Sequence, residues 1–333
     1  MGGIKISRGM KLSFGFSVGK QYYFLYALFI VLYAGVAYYV SFNLDPVTDN
    51  LMYESIFNNI EYGHHYRYEL VLPLLMLVFK KLGFSYEWFV FLKSISWLPI
   101  IFIIDRKINS NKVLFSALLF SAFLYVPWHE TVAFLARQSL AFEFALACLL
   151  SGTLRLRVVF AVLMFFSHIS SFIWIPFLFT NFASAFVSRK TALLILAIFV
   201  VFFITEIDVG NYIIDTVSML VGHLGAFGQD LARKLVFYEQ GSNLIINRMA
   251  GHTPQHLILI VLSVIIFLFF SRRRESVLEL RLISLFLSAA LLMSLTLNDY
   301  IMSTRLGYVA FVFTVPYLAI FSCLYLRRVK VVK

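Results

Sequence analysis

Six ionisable residues stand inside or at the edge of long apolar stretches: Lys93, Glu130, Arg137, Glu143, His168 and Arg305. A charge at mid-helix in a bilayer costs about 2.5–3.5 kcal/mol on insertion scales, so each needs a partner, an aqueous path or a function. Arginine brings a permanent charge on a planar fork that matches phosphate and carboxylate oxygens. Histidine can serve as acid, base or hydrogen-bond donor near neutral pH. Arg137 follows Glu130 by seven residues, two turns that would put both on one helix face about 10 Å apart. Glu143 has Lys93 or His168 as candidate partners, and Arg305 with Tyr308 forms a similar pair opening the last apolar stretch. Snorkelling from helix ends and internal ion pairing account for the same residues without chemistry.

A second group lies between the first two apolar stretches, where Asp45, Asp49, Tyr53, Glu54, Glu61 and Glu69 put carboxylates and phenols beside the membrane. That mixture suits sugar hydroxyls, and a solvated acidic loop is the plain alternative. The sequence has no P-loop, dinucleotide fingerprint, HExxH pair or GxSxG elbow, so the familiar soluble-enzyme mechanisms are excluded. Cys148 and Cys323 both fall in apolar runs and are expected to act as small hydrophobes. Neither a disulfide framework, a metal site nor a cofactor is expected.

The elements that must position these residues follow from composition. The 333 residues are 61% hydrophobic and 14% charged, against about 25% charged in soluble domains. Several apolar runs approach the ~20 residues that a helix needs to cross hydrocarbon, and period-two alternation is absent, which argues against a β-barrel. The expected fold is therefore all-α and polytopic. The net charge of +11 is carried by short clusters between apolar runs, and 19 of the 28 basic residues fall in clusters that can share one side. This is the pattern that orients a membrane protein, and no nucleic-acid partner is implied. Spans are expected at 22–42, once within 68–104, and at 113–128, 131–150, 191–207, 256–271, 281–297 and 305–326. That gives about eight crossings with both termini in the cytoplasm. The first stretch ends in Tyr and Phe without a small-residue cleavage site and is expected to remain as an anchor.

Two regions break the rhythm. Segments 68–82 and 86–104 are both apolar where parity allows one crossing, and 158–187 begins and ends beside inner charges, so short or re-entrant helices are expected in both. The second carries Ser167-His168-Ile169-Ser170-Ser171 at its middle, a polar tip that implies a cavity because irregular backbone in a membrane needs protein or water around it. Outer loops are expected at 43–67 and 208–255. Within the latter, Ile213, Ile214, Val217, Leu220, Val221 and Leu224 form a stripe that suggests an interfacial helix. The chain reads as one transmembrane domain over 1–333, without internal repeats.

The stretch Phe134-Leu135-Ala136-Arg137-Gln138-Ser139-Leu140-Ala141, followed by a basic turn and then Phe166-Ser167-His168-Ile169-Ser170, resembles the Arg-Gln … His-x-Ser signature of the EpsG-like branch of Wzy-type polysaccharide polymerases. Asp49 and Tyr53, Glu69, and Ser303-Thr304-Arg305-Leu306-Gly307-Tyr308 resemble that family's other recurring features, and Ser139 stands where many relatives carry glycine. The resemblance implies a multi-pass enzyme of the bacterial inner membrane with its site facing the periplasm. It would join oligosaccharide repeat units carried on undecaprenyl diphosphate into O-antigen or a similar surface polysaccharide, alongside a flippase and a chain-length regulator. On that reading Arg137 and Arg305 converge on the diphosphate, with Arg233 or Arg248 closing over it and no metal required. Asp49 and His168 lead as candidate bases, with Glu69 next. A carboxylate is favoured as the base and His168 as a substrate ligand; Tyr53, Glu69 and Tyr308 complete the binding set. A lipid-linked oligosaccharide flippase, a membrane glycosyltransferase or acyltransferase that decorates a glycan, and a structural subunit are the competing readings.

Overall fold

The computed structural model describes residues 18–44, 48–60, 69–108, 113–178, 187–205, 216, 219, 253–270, 277–295, 309–310 and 313–331. Every regular element among them is helical. A first helix, α1 (Val18–Phe42), leads into a shorter one, α2 (Thr48–Asn59), within the segment read as a loop. Asn50, Tyr53 and Phe57 are buried along one side of α2, with Ile60 buried just past its end, at spacings of three and four that define a helix face. Next come α3 (Val71–Lys81), α4 (Tyr86–Ile95) and α5 (Trp97–Ile108). With 11 residues, α3 is about 16 Å long, too short to cross hydrocarbon. Residues Tyr86–Ile108 together have the length and apolarity of a span.

Two further helices, α6 (Val113–Phe123) and α7 (Val126–Phe134), form a pair bent by 52°, and α8 (Ala136–Leu150) follows after Leu135. The breaks within 86–108 and 113–134 have a local cause. Pro99 and Pro127 each lack an N–H and crowd the carbonyl four residues back, so the chain restarts with each proline in a first helical turn. The break at Leu135 (φ −94°, ψ 56°) has neither proline nor glycine beside it. The expected spans 113–128 and 131–150 are thus three helical pieces, divided at 124–125 and at 135.

After a short turn, α9 (Leu154–Ser167) packs back along α8. Thr153 caps it by accepting from the Leu156 N–H, while Lys107 Nζ and Arg157 Nε donate to the Leu150 and Ser151 carbonyls that end α8. Cations there complement the helix dipole. A 3₁₀ segment, Ile169–Trp174, and a single turn, α10 (Ile175–Leu178), continue the chain. The remaining long helices are α11 (Arg189–Thr205), α12 (Thr253–Phe270), α13 (Val277–Leu295) and α14 (Thr314–Val331). Helices Gln21–Phe42, Tyr86–Ile108 and Val277–Leu295 are long and apolar enough to cross a membrane, and the bent α6–α7 pair makes a fourth if counted as one span. Of the segment read as an outer interfacial helix, only Thr216 and Met219 are described, both helical and exposed.

Lipid is as apolar as leucine, so close packing and hydrogen bonds rather than flight from water hold such helices together. The buried centre is aromatic: Trp97 meets Trp128 edge-on at 5.4 Å, and Phe313 meets Phe142 edge-on at 4.9 Å. Small residues let α13 approach its neighbours, with Ser284, Ser288, Ala289 and Ala290 all buried. Ser284 Oγ reaches the Phe177 carbonyl of α10 at 3.1 Å. Cys148 and Cys323 are buried free thiols.

Candidate functional site

Three local features bring the polar residues together. The first is the end of α9, where Ser167 Oγ donates to the Leu163 carbonyl and Ser171 Oγ to that of Met164. Serine hydroxyls that take helix carbonyls offer the backbone an alternative to continuing, and His168 follows in extended conformation (φ −155°, ψ 113°). The second is the start of α3. Glu69 immediately precedes its N-cap Leu70, where the helix dipole favours a negative charge. The third is the Leu135 break, which puts Arg137 in the first turn of α8.

At their meeting point the Glu69 carboxylate lies between two donors. Arg137 Nη1 donates to Glu69 Oε2, and His168 Nδ1 lies 3.0 Å from Glu69 Oε1. Arg137 Nε donates to the Tyr53 hydroxyl at 2.7 Å, and its guanidinium carbon lies 5.7 Å from the Tyr53 ring centroid. All four residues are buried, Glu69 to 1% exposure and Arg137 to 7%. Four elements from three separate parts of the sequence therefore supply one buried cluster. A proton on His168 Nδ1 shared with Glu69 puts the ring's lone pair on Nε2, the nitrogen that can accept a proton. Gln138 Oε1 and Ser139 Oγ, next to Arg137 in α8, are buried without a hydrogen-bond partner among the described residues.

A second polar cluster lies beside α7 and α8. Lys93 Nζ donates to the Val132 carbonyl at 2.6 Å, and Ser96 Oγ donates to Glu143 Oε2 at 2.9 Å.

Of the residues singled out from sequence, Tyr53, Glu69, Arg137 and His168 meet directly. Asp49 falls in the first turn of α2, with its side chain outside the described residues. Arg233, Arg248, Arg305 and Tyr308 lie outside the described residues. The expectation that Glu130 and Arg137 share one helix face is corrected. The chain breaks at Leu135 between them, leaving Glu130 exposed while Arg137 turns inward to Glu69. Glu143 bonds to Ser96, whereas the described acid on His168 is Glu69. Sequence reasoning missed the contributions of Ser96 and Tyr33. Tyr33 donates to the Ser94 carbonyl at 2.9 Å, and Pro99 is the signal that carbonyls in this stretch would need outside donors.

A family model described as the EpsG family matches residues 26–333, nearly the whole chain. The chain belongs to the EpsG family. No curated protein and no solved structure matches it. EpsG-family membership and the apolar helices together make this a membrane protein of polysaccharide biosynthesis, in a family associated with glycosyltransferase-like polymerase activity. The buried Arg137–Glu69–His168 cluster draws on residues from Tyr53 to His168, all inside the matched range.

Proposed function

We propose that the protein polymerises oligosaccharide repeat units carried on undecaprenyl diphosphate, at the periplasmic face of a bacterial inner membrane. The observation that carries this reading is the buried Glu69 carboxylate held between Arg137 and His168. A carboxylate oriented on Nδ1 of a histidine, with a guanidinium beside it, supplies the two functions that glycosyl transfer from a lipid diphosphate requires. One is a base for the attacking hydroxyl, and the other is positive charge for the departing diphosphate. In the step, an acceptor hydroxyl oxygen bonds to the anomeric carbon of the donor chain. Its proton passes to His168 Nε2, and the bond from the anomeric carbon to the diphosphate oxygen breaks with its electron pair leaving on the diphosphate. Glu69 fixes the ring and stabilises the imidazolium, as the carboxylate does in a catalytic triad. The Arg137 fork pairs with phosphate oxygens as they gain charge. This geometry favours His168 over Asp49 as the base, with Glu69 acting through it.

Depth supports the same reading. Arg137 and Leu150 at the basic turn are thirteen positions apart, about 20 Å along a helix. The 14 residues of α9 climb about the same height to His168. With the basic turn inside, the cluster would lie in the outer half of the bilayer. Eight crossings, inner termini and outer loops at 43–67 and 208–255 form part of this proposal. So do Arg305, Arg233 or Arg248 as further ligands of the diphosphate, Tyr308 as a sugar contact, and a flippase and chain-length regulator as pathway partners.

The test is deletion of the gene in its host, with the surface polysaccharide run on a denaturing gel and with wild type or Arg137→Ala restored from a plasmid. The expected outcome is loss of the long ladder with a single repeat unit retained, reversed by wild type and not by the variant. Loss of every repeat unit would instead identify a flippase, and an unchanged ladder would point to a decorating enzyme or a structural subunit.

A further inference from the structure

The α7–α8 break that turns Arg137 toward Glu69 has no local cause in the sequence. Between Pro127 and Gly152 the chain contains neither proline nor glycine, so neither of the residues that ordinarily stop a helix stands at the break. In a continuous helix the Ala136 N–H would bond to the Val132 carbonyl, four residues back. Here that carbonyl accepts from Lys93 Nζ at 2.6 Å instead. Lys93 is 6% exposed and sits in the last turn of α4. Its own neighbourhood is a second break, at Ser96, where Ser96 Oγ lies 2.6 Å from the Lys93 carbonyl and 2.9 Å from Glu143 Oε2 and shares its one proton between them. Glu143 belongs to α8, six residues beyond Arg137. The ammonium is therefore tied to the end of α7, and Ser96, three residues on, is tied to α8, across the joint that separates them.

We infer that Lys93 is a positioning residue for the candidate site: by replacing the Ala136 N–H as partner of the Val132 carbonyl, and with Glu143 as its counter-charge, it holds α7 and α8 apart and so presents Arg137 to Glu69. The inference rests on the reading of Arg137 as a diphosphate ligand. A buried ammonium is costly unless both its charge and its hydrogen bonds are met. A carbonyl released by a helix break and a carboxylate on the next helix meet both. Without Lys93 the Val132 carbonyl is left to the Ala136 N–H, α7 runs on into α8, and every residue after 135 rotates relative to Glu69. A shift of about 1 Å in a charged ligand can cost about 10²-fold in function.

The experiment is a double-mutant cycle in nanodiscs, with undecaprenyl diphosphate as the binding probe. Wild type, Lys93→Met, Arg137→Ala and the double variant are titrated. Lys93→Arg is included as the conservative change that keeps a charged donor. Because one half of a buried pair is removed in Lys93→Met, the Lys93→Met/Glu143→Leu variant is carried alongside, apolar replacement of a whole buried pair being close to neutral for stability. The expected result is at least tenfold weaker binding for Lys93→Met and for the paired variant, with most of it recovered in Lys93→Arg. No further loss is expected when either is combined with Arg137→Ala. Equal losses in both Arg137 backgrounds, or wild-type binding by the paired variant, would overturn the role of Lys93 and leave the reading of Arg137 standing. Unchanged binding by Arg137→Ala itself would overturn both.

Discussion

At the scale of single residues, the economy of the site lies in Glu69. One carboxylate satisfies a buried arginine and a buried histidine at once, so neither the arginine's charge nor the imidazole N–H is stranded in a medium where an unpaired polar group is costly. In the proposed mechanism the same arrangement links the base to the group that stabilises the leaving diphosphate. Glu69→Gln and His168→Asn should therefore each lower turnover of lipid-linked repeat units by about 10²-fold or more, and the double variant should be little worse than the weaker single, because residues that act as a unit are non-additive. Full additivity in a reconstituted polymerisation assay would separate the two roles. Arg137→Lys keeps the charge but loses the fork and the Nε bond to Tyr53. Its expected cost is about 10²-fold in rate, comparable to loss of one donor in an oxyanion hole, while Tyr53→Phe should cost about tenfold. Equal activity of Arg137→Lys and wild type would remove the bidentate clamp from the mechanism. These residues stood out in the sequence because each is costly in lipid. Their pairing did not, since Glu69 and His168 are 99 positions apart and no periodicity links them.

At the scale of elements, the breaks decide where polar atoms go. Two carry a signal in the sequence, Pro99 and Pro127, although the expected segments 86–104 and 113–128 ran through both, and each releases carbonyls that side chains then claim. His129 Nε2 meets the Phe123 carbonyl at 2.9 Å, four residues before Pro127. The third break, at Leu135, was not legible because its partner for the released carbonyl comes from another helix. That gap is why a continuous helix through Glu130 and Arg137 was the natural expectation. The turn after α3 is a case where local sequence does suffice. Gly83 has φ +83°, its N–H bonds to the Lys80 carbonyl, and the Phe84 N–H bonds to that of Phe79. The Phe79 and Phe84 rings are 5.6 Å apart, completing a Schellman cap with its hydrophobic contact. No atom stands within 4 Å of where a Cβ would go, so Gly83→Ala should cost only the left-handed backbone, about 1 kcal/mol. Thermal unfolding in detergent should fall by about 2 °C, and Gly83→Asn should recover part of it. A wild-type melting temperature in Gly83→Ala would mean that the turn is not held in this conformation.

At the scale of the whole molecule, the question is which side the cluster faces, and charge and geometry bear on it separately. Basic residues cluster at 106–112, 155–157, 189–190, 272–281 and 327–333. The described members of these clusters fall at the ends of α5 and α14 and the starts of α9, α11 and α13. By the positive-inside rule, helix ends that share positive charge are expected to share the cytoplasmic side. The Arg137–Glu69–His168 cluster lies at the other ends of α8 and α9, about 20 Å from their basic turn. If the basic turn is inside, a substrate delivered from the outer leaflet meets the cluster after crossing about a third of the hydrocarbon. If it is outside, the cluster opens toward the cytoplasm, where a polymerase acting on periplasmic repeat units could not use it. Fusions decide between these. A fluorescent protein that folds only in the cytoplasm should light up after residue 333 and within 151–153. An alkaline phosphatase active only in the periplasm should work when fused within 208–255 and fail within 151–153. A phosphatase active at 151–153 would invert the topology and remove the polymerase reading, whatever Arg137 proves to bind.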